Sequence, residues 1–316
     1  GADGTPAANN ISVRLVSDHP GVPGYAAVYE TKIYNGDEEL ASGYSLSSDN
    51  SNVIISGNTV TLPAEFKDNT ELDGIKIYAT VNGQTAFYPL MIKKWTLTLQ
   101  DDFDGVKLNN EIWSNSSGSA DCISVNGGKL TMKITTDENG KEYDPYITTR
   151  NKFAQQYGCF TARMLMPQTT ETSVSAFWLL PSNYNNNWGT SYLFEGTNLS
   201  CGEVDIIEYP SNWNGEAQSA LQWWNPTNIS GSHSATSQKY KYDKLKNGEY
   251  IDATGIWTAD ALYFYYDGIL QGSITNISAT GEKACMILSM STWSGEFNPK
   301  AVDSLYCTVD YVKAYK

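Results

Sequence analysis

Histidine is nearly missing from this chain of 316 residues, with His19 and His233 its only two. That scarcity leaves almost no material for a Ser-His-Asp or Cys-His nucleophile system, or for a histidine-rich metal centre. Cysteine is sparse as well. Cys122, Cys159, Cys201, Cys285 and Cys307 are scattered, with no short Cys-x-x-Cys pair, which excludes a zinc cluster of that kind. The odd number leaves at least one thiol unpaired in a monomer, and a chain of this length builds its core without disulfides. Basic residues are outnumbered, 21 Lys and Arg against 35 Asp and Glu, for a formal net charge of −14 and a pI near 4.5. No basic stripe is available to neutralise phosphates, so nucleic acid is excluded as a partner. The same charge weighs against heavily sulfated polysaccharides unless a local basic cleft overrides the average. No run of about 18 apolar residues reads as a membrane span. Gly1–Asn10 carry neither the basic nor the apolar zone of a signal peptide, as in a mature chain whose leader has been removed.

What the chain does have is short β-branched and aromatic runs joined by Gly, Asn, Ser and Thr, the composition of an all-β protein. Its length allows one large or two ordinary domains. Residues 11–94 predict strands at Ile11–Ser17, Tyr25–Tyr34, Val53–Ile55, Thr59–Leu62, Gly74–Val81 and Thr85–Ile92. Asn35-Gly36 and Asn82-Gly83 are hairpin signals, and Ser56-Gly57-Asn58 is a third turn. About seven short strands in some 90 residues suggest a small immunoglobulin-like sandwich over residues 1–94. No tryptophan precedes Trp95, which favours a spacer over a sugar binder. Beyond it aromatics thicken, with eight more tryptophans. Strands such as Lys129–Thr135 and Ala261–Tyr266, with a tight hairpin at Asp267-Gly268, fit two stacked antiparallel sheets, a jelly roll over residues 95–316. Tryptophans suit a polysaccharide cleft, because sugar rings present apolar C–H faces that stack on indole.

The stretch that organises this second part is Gly202-Glu203-Val204-Asp205-Ile206-Ile207-Glu208-Tyr209. Alternation of faces sends Glu203 and Asp205 one way and Val204 and Ile206 into a core. Strict alternation would then bury Glu208, at a cost no unpaired carboxylate meets cheaply. A β-bulge at Ile206-Ile207 takes up one residue and returns Glu208 to the acidic face. Like charges so close cannot all ionise at ordinary pKa values, so at least one glutamate stays protonated near neutral pH. One carboxylate beside one carboxyl is the equipment of a retaining glycosidase, which needs them about 5–5.5 Å apart. Along a bulged strand Glu203 and Glu208 lie roughly 13 Å apart at their α-carbons, within reach of two converging glutamates. A calcium site or a solvated acidic strand edge is the competing reading of these residues alone.

Glu203-Val204-Asp205-Ile206-Ile207-Glu208 resembles the bulged Glu-x-Asp-x-x-Glu signature of glycoside hydrolase family 16, whose members include laminarinases, other β-glucanases, agarases, porphyranases and carrageenases. The flanks agree in order. Asp101-Asp102-Phe103-Asp104-Gly105, with Leu108 and Trp113, resembles the family's opening segment, and Gly127-Gly128-Lys129-Leu130 its Gly-Lys-Leu strand. Tyr157–Arg163, Ala176–Pro181, Tyr266-Asp267-Gly268 and Val309–Val312 each resemble a further landmark, so the match covers roughly residues 95–316. Two departures bear on subclass. Gln222 stands where many members carry histidine, and Thr172–Ser175 resembles the agarase and carrageenase branch, whereas Cys201-Gly202-Glu203 looks like the β-glucanases.

The resemblance implies a secreted or cell-surface bacterial endo-β-glycanase, acting as a monomer on polysaccharide without a catalytic cofactor. Glu203 would be the nucleophile, Glu208 the acid/base, and Asp205 the group that hydrogen-bonds between them. Cys201 is expected to be a small buried residue beside that strand. Trp113 and Trp257 are expected in the core. Trp178, Trp188, Trp213, Trp224, Trp293, Gln222 and Arg163 are the expected substrate-binding residues. Asp102, Gly128 and Asp310 are the positions of a structural calcium, whose oxygen-only ligation they would supply. Loops poor in Lys and Arg favour neutral β-1,3- or mixed-linkage β-1,3/1,4-glucan; agarose, other β-galactans and mucin-type glycans come second, and sulfated carrageenan last. A non-catalytic carbohydrate-binding protein on the same fold is the alternative of another class.

Overall fold

The computed structural model describes residues 10–17, 28–62, 75–90, 95–167, 173–182, 193–195, 200–224, 233–292 and 305–316. The chain divides into two compact units, Gly1–Thr96 and Leu97–Lys316, two residues beyond the division expected from composition. Among the described residues no helix is long and apolar enough to cross a membrane.

In the N-terminal unit, period-2 burial makes the strands. Ile75–Val81 turns Ile75, Ile77, Ala79 and Val81 inward, and Ile11–Val16 does the same with Ile11, Val13 and Leu15. The described residues form a five-stranded sheet from Ile11–Val16, Val28–Asn35, Glu38–Glu39, Ile54–Ser56 and Thr59–Thr61, and a three-stranded one from Ser45–Ser48, Ile75–Val81 and Gln84–Leu90. Ile33, Val60, Ile77 and Leu90 are fully buried in the unit's core. Asn82 (φ 49°) and Gly83 (φ 80°) both take the left-handed conformation that a two-residue hairpin needs. Two of these strands were not expected. Glu38–Glu39 and Ser45–Ser48 lack β-branched residues, and it is pairing with Val28–Asn35 and Ile75–Val81 that makes them strands.

The C-terminal unit is a sandwich of two antiparallel sheets. One runs Ser114–Asn115, Tyr146–Thr148, Ala284–Ser291, Val174–Pro181, Ser200–Pro210, with Glu216–Trp224 and then His233–Lys241 paired beyond. The facing sheet runs Ile123–Val125, Leu130–Lys133, Tyr306–Tyr315, Gly158–Leu165, Ile251–Trp257, Ala261–Tyr266, Ile269–Thr275. Leu97–Asp101 joins it on Tyr306–Tyr315. The sequence reading of one strand over Lys129–Thr135 resolves into Leu130–Lys133 and a separate Thr135–Thr136. Trp113 and Trp257, each 1% exposed, lie in the core between the sheets.

The acid-bearing strand, Ser200–Pro210, sits in the middle of its sheet. Its ladder breaks where the alternation argument requires. Asp205 pairs with Trp178 and Ala220, Glu208 pairs with Ala176 and Gln218, and the register shifts between them. Ile206 and Ile207 therefore both enter the core, at 1% and 0% exposure. Two consecutive isoleucines on one face need room, and the opposite sheet provides it. A Cβ on Gly255 would sit 2.8 Å from Ile206 Cγ1 and 3.0 Å from its Cδ1. Glycine there makes the bulge packable.

Gly255→Ala should overfill this contact and cost about 1–3 kcal/mol, with reduced activity as the bulge shifts. Thermal melts of Gly255→Ala, Ile206→Ala and the double variant test it. The double should be distinctly more stable than the sum of the singles. Simple additivity would remove Gly255 from the support of the bulge.

Candidate active site

The bulge aligns three carboxyls on the sheet face that points away from the core. Val204, Ile206, Ile207 and Tyr209 are in the core cluster, whereas Glu203 and Glu208 are partly exposed. Asp205 between them is buried, at 1% exposure. The next strand, Glu216–Trp224, meets the acids with amides. Gln222 lies opposite Glu203, and its Nε2 donates to Asp205 Oδ2 at 2.9 Å. Gln218 lies opposite Glu208, and its Nε2 donates to Glu208 Oε2 at 2.7 Å. Gln218 was missed in the sequence, although the period that put Ala220 and Gln222 on one face extends back to it.

Burial is the first cause acting on all three acids. It pushes Glu203 up to about 8, against a hydrogen bond from Asp205 that lowers it and the Glu208 charge that raises it further. Glu208 is likewise pushed up to about 8, by burial and then by Asp205, with the Gln218 amide pulling the other way. Asp205 rises well above the usual carboxylate range through burial, then the Glu203 charge, then the bond to Glu203. A bond that raises Asp205 and lowers Glu203 has its proton on Asp205. In that bond Asp205 donates and Glu203 accepts, while burial holds all three acids toward their protonated forms.

Across the sheet from the acids lies an apolar floor. Trp178 packs with Leu180, Cys285, Ile287 and Tyr146; its Nε1 donates to Ser289 Oγ at 3.0 Å, and its ring meets Tyr146 edge-on at 5.8 Å. Trp178, paired directly with Asp205, is therefore beside the acids. Trp213, in the short turn after the acid strand, has the Lys239 ammonium 4.1 Å above its ring, so one face is already taken. Trp224 pairs through its backbone with Ser200, but its side chain, like that of Cys201, lies outside the described residues, as do Trp188 and Trp293 altogether.

Arg163 needs correction. It is on Gly158–Leu165 of the facing sheet, where Phe160, Ala162 and Met164 turn inward and Arg163 turns outward. Its guanidinium pairs with Asp252 Oδ2 at 3.0 Å and Asp310 Oδ2 at 3.5 Å, on the opposite side of the sandwich from the acids. Of the expected calcium positions, Asp310 is paired with Arg163 and with Lys129 Nζ, the latter at 3.1 Å. Among the described residues, no group of three or more His, Cys, Asp and Glu could hold a metal ion.

Comparison with known proteins shows the family and the fold. The family model described as glycosyl hydrolases family 16 matches residues 110–313. Endo-1,3-1,4-beta-glycanase ExsH of Rhizobium meliloti (strain 1021) is 25% identical over 215 residues, covering 63% of this chain and 40% of that protein. EglC of the same strain, with the same description, is 26% identical over 209 residues at the same coverage. The chain thus spans about two fifths of the length of these curated relatives. Among solved structures, a laminarinase from Flavobacterium sp. UMI-01 superimposes with a TM-score of 0.57 at 21% identity, over 70% of this chain and 100% of its own. Porphyranase B from Zobellia galactanivorans gives 0.55 at 18%, over 70% and 92%. At such identities the likeness is one of fold, a jelly-roll sandwich.

The raised acids have a consequence for stability. A carboxyl whose folded value lies near 8, against 4.5 when unfolded, favours folding fully below about 4.5 and loses that contribution as pH rises toward 8. Glu208→Gln removes the titration. Its Tm should match wild type near pH 4 and exceed it by a few degrees near pH 9, on a scale of roughly 2–4 °C per kcal/mol. Parallel Tm curves for the two proteins across that range would show that Glu208 is not held out of water.

Proposed function

This chain belongs to glycosyl hydrolases family 16, and from that premise we propose that it is a secreted, endo-acting, retaining β-glycanase. The observation that carries the reading is the bulged strand, with Glu203, Asp205 and Glu208 on one face and Asp205 bonded to Glu203. In the first step the Glu203 carboxylate attacks the anomeric carbon while Glu208 gives its proton to the departing glycosidic oxygen. In the second, Glu208 takes a proton from water as that water displaces Glu203, so the sugar leaves with its original configuration and both acids are restored. Asp205 keeps Glu203 oriented and spreads its charge through the shared hydrogen bond. Three crowded acids have no use in a pure sugar binder, which ranks that alternative low.

A β-1,3- or mixed-linkage β-1,3/1,4-glucan is the first-ranked substrate. The endo-1,3-1,4-beta-glycanase description of the Rhizobium relatives supports it, as does the neutral, amide-rich wall formed by Gln218 and Gln222. The segments 183–200, 212–216 and 225–241 hold Lys239 and Lys241 as their basic residues, and Lys239 is already over Trp213. Agarose, other β-galactans and mucin-type glycans rank second and sulfated carrageenan last. A polymer too large to enter a cell is consistent with action outside it, as a monomer. The N-terminal unit fits an immunoglobulin-like spacer.

Glu203→Gln and Glu208→Gln should each lower kcat by roughly 10²–10⁴-fold or more without loss of folding, and Asp205→Asn by less. Reducing-sugar release from laminarin, lichenan, agarose, mucin glycans and κ-carrageenan reads both activity and ranking. Near-wild-type turnover in either glutamine variant would end the assignment, and exclusive cleavage of the carrageenan would overturn the ranking. Proton NMR of the first product should show the β-anomer; an initial α-anomer would mean that water attacks directly.

A further inference from the structure

Opposite the bulge, one residue of the neighbouring strand faces two. Asp205 pairs with Ala220 and Glu208 with Gln218, so the single residue Ser219 stands across from Ile206 and Ile207. The backbone ladder is disrupted at such a place. Ser219 is fully buried, and its hydroxyl donates to the Ile206 carbonyl at 2.6 Å. A side-chain bond thus stands where the regular ladder is interrupted, and it gives a buried carbonyl the partner it needs. Ile206 is held at two points. Gly255 makes room for its side chain, and Ser219 fixes its carbonyl.

The hydroxyl is itself backed from the core. Burial pushes the Tyr240 and Tyr266 hydroxyls up, and both lie near enough to Ser219 for it to offset part of that rise. Their rings meet edge-on at 6.0 Å. Tyr240 comes from His233–Lys241, the strand beyond Glu216–Trp224, and its hydroxyl donates to Gln238 Oε1 at 2.6 Å. Gln238 Nε2 in turn donates to Ser273 O at 2.8 Å, on Ile269–Thr275 of the facing sheet. Gly272 admits this crossing, since a Cβ there would lie 2.1 Å from Gln238 Oε1 and 2.4 Å from the Tyr240 hydroxyl. A run of polar groups therefore leads from the facing sheet to the back of the acid strand.

The bulge is the joint between two halves of that strand. On one side Glu203, Val204 and Asp205 pair in unbroken register with Gln222, Leu221 and Ala220, so the nucleophile and its hydrogen-bond donor form one piece. On the other side Glu208 pairs with Gln218 and Ala176. The geometry at Ile206-Ile207 sets the second piece against the first. A shift there would leave Glu203 in place and carry the Glu208 carboxyl away from the glycosidic oxygen, and a misplacement of about 1 Å can cost about 10²-fold in rate.

We propose that Ser219 is a positioning residue for the proton donor: by holding the Ile206 carbonyl, it sets where Glu208 stands relative to Glu203. The inference rests on the glycanase reading of the acids. Ser219 lies on the core side of its strand, with Ala217 and Leu221, and so touches no substrate. Its effect falls on proton donation and not on nucleophilic attack.

Two measurements on the full chain test this. The first compares kcat/KM on laminarin or barley β-glucan with kcat/KM on a dinitrophenyl β-glycoside of a short glucan, whose leaving group departs without a proton. Ser219→Ala should lose roughly tenfold or more on the polymer and much less on the aryl glycoside. Ser219→Thr and Ser219→Val add similar bulk but differ in the hydroxyl, and only the threonine variant should keep the polymer rate. Equal losses on the two substrates, no loss on the polymer, or equal rates for the threonine and valine variants overturns the positioning role alone. If the two bulkier variants do not fold, Ser219→Ala still decides through the substrate split. The second measurement is the pH titration of the Glu208 carboxyl carbon by NMR, assigned with Glu208→Gln, in wild type and Ser219→Ala. Loosening the joint slackens the Gln218 bond that lowers Glu208, so the midpoint should rise in the variant. A midpoint that is unchanged or lower overturns the proposal. If wild type cleaves none of these substrates, the glycanase reading has failed on these glucans, and the titration still decides the role of Ser219.

Discussion

Holding three carboxyl groups out of water on one strand is the constraint on which the rest of this site depends. Burial alone would neutralise all three, and a strand of neutral acids would have no nucleophile. The bond from Asp205, the most buried of the three, acts against burial at Glu203, lowering what desolvation raises. The amides of Gln218 and Gln222 complete the solution, since each donates to a carboxyl without titrating itself. A histidine in place of Gln222 would add a further proton and a further pKa to the count. With glutamine, the protonation state of the site is settled among the acids themselves.

The same constraint reaches into the core. Three acids on one face across six residues are incompatible with an unbroken strand, so one residue has to be absorbed, and two isoleucines have to face inward together. The facing sheet accommodates them through Gly255, whose missing side chain is the space that Ile206 fills. A glycine some fifty residues away in sequence is thus part of what aligns Glu208 with Glu203. Strand interiors pay in conformational entropy for glycine, and here the close approach of Ile206 explains its presence.

These relationships differ in how far the sequence discloses them. The bulge was legible because a local rule, alternation, collided with a local cost, a buried carboxylate, within six residues. The core positions of Trp113 and Trp257 were legible from the motifs around them. Gln218 was within reach of the same alternation that marked Gln222. Arg163 was not placed correctly, because alternation tells which side of a strand a residue takes but not which sheet the strand joins. Its true neighbours, Asp252 and Asp310, come from strands 89 and 147 residues further on. The ion pairs of Asp310 are hidden for the same reason. That Asp310 is taken by Lys129 and Arg163 is a fact of three strands brought side by side. Ser45–Ser48 marks another limit, since its strand character comes from its partner and not from its own residues.

The face that carries the acids is the part least visible in one dimension. Strands run along the chain, but the rows that meet a polysaccharide run across them. Gln222, Glu203, Leu180 and Cys285 are neighbours on one such row, though the chain visits them in a quite different order. Composition averages are blind to this. A formal charge of −14 describes the whole surface, while the groups met along a single row are set by which strands pair. For a ligand that lies across the strands, the sign of the protein matters less than the sequence of charges it meets, and only the paired sheet sets that order.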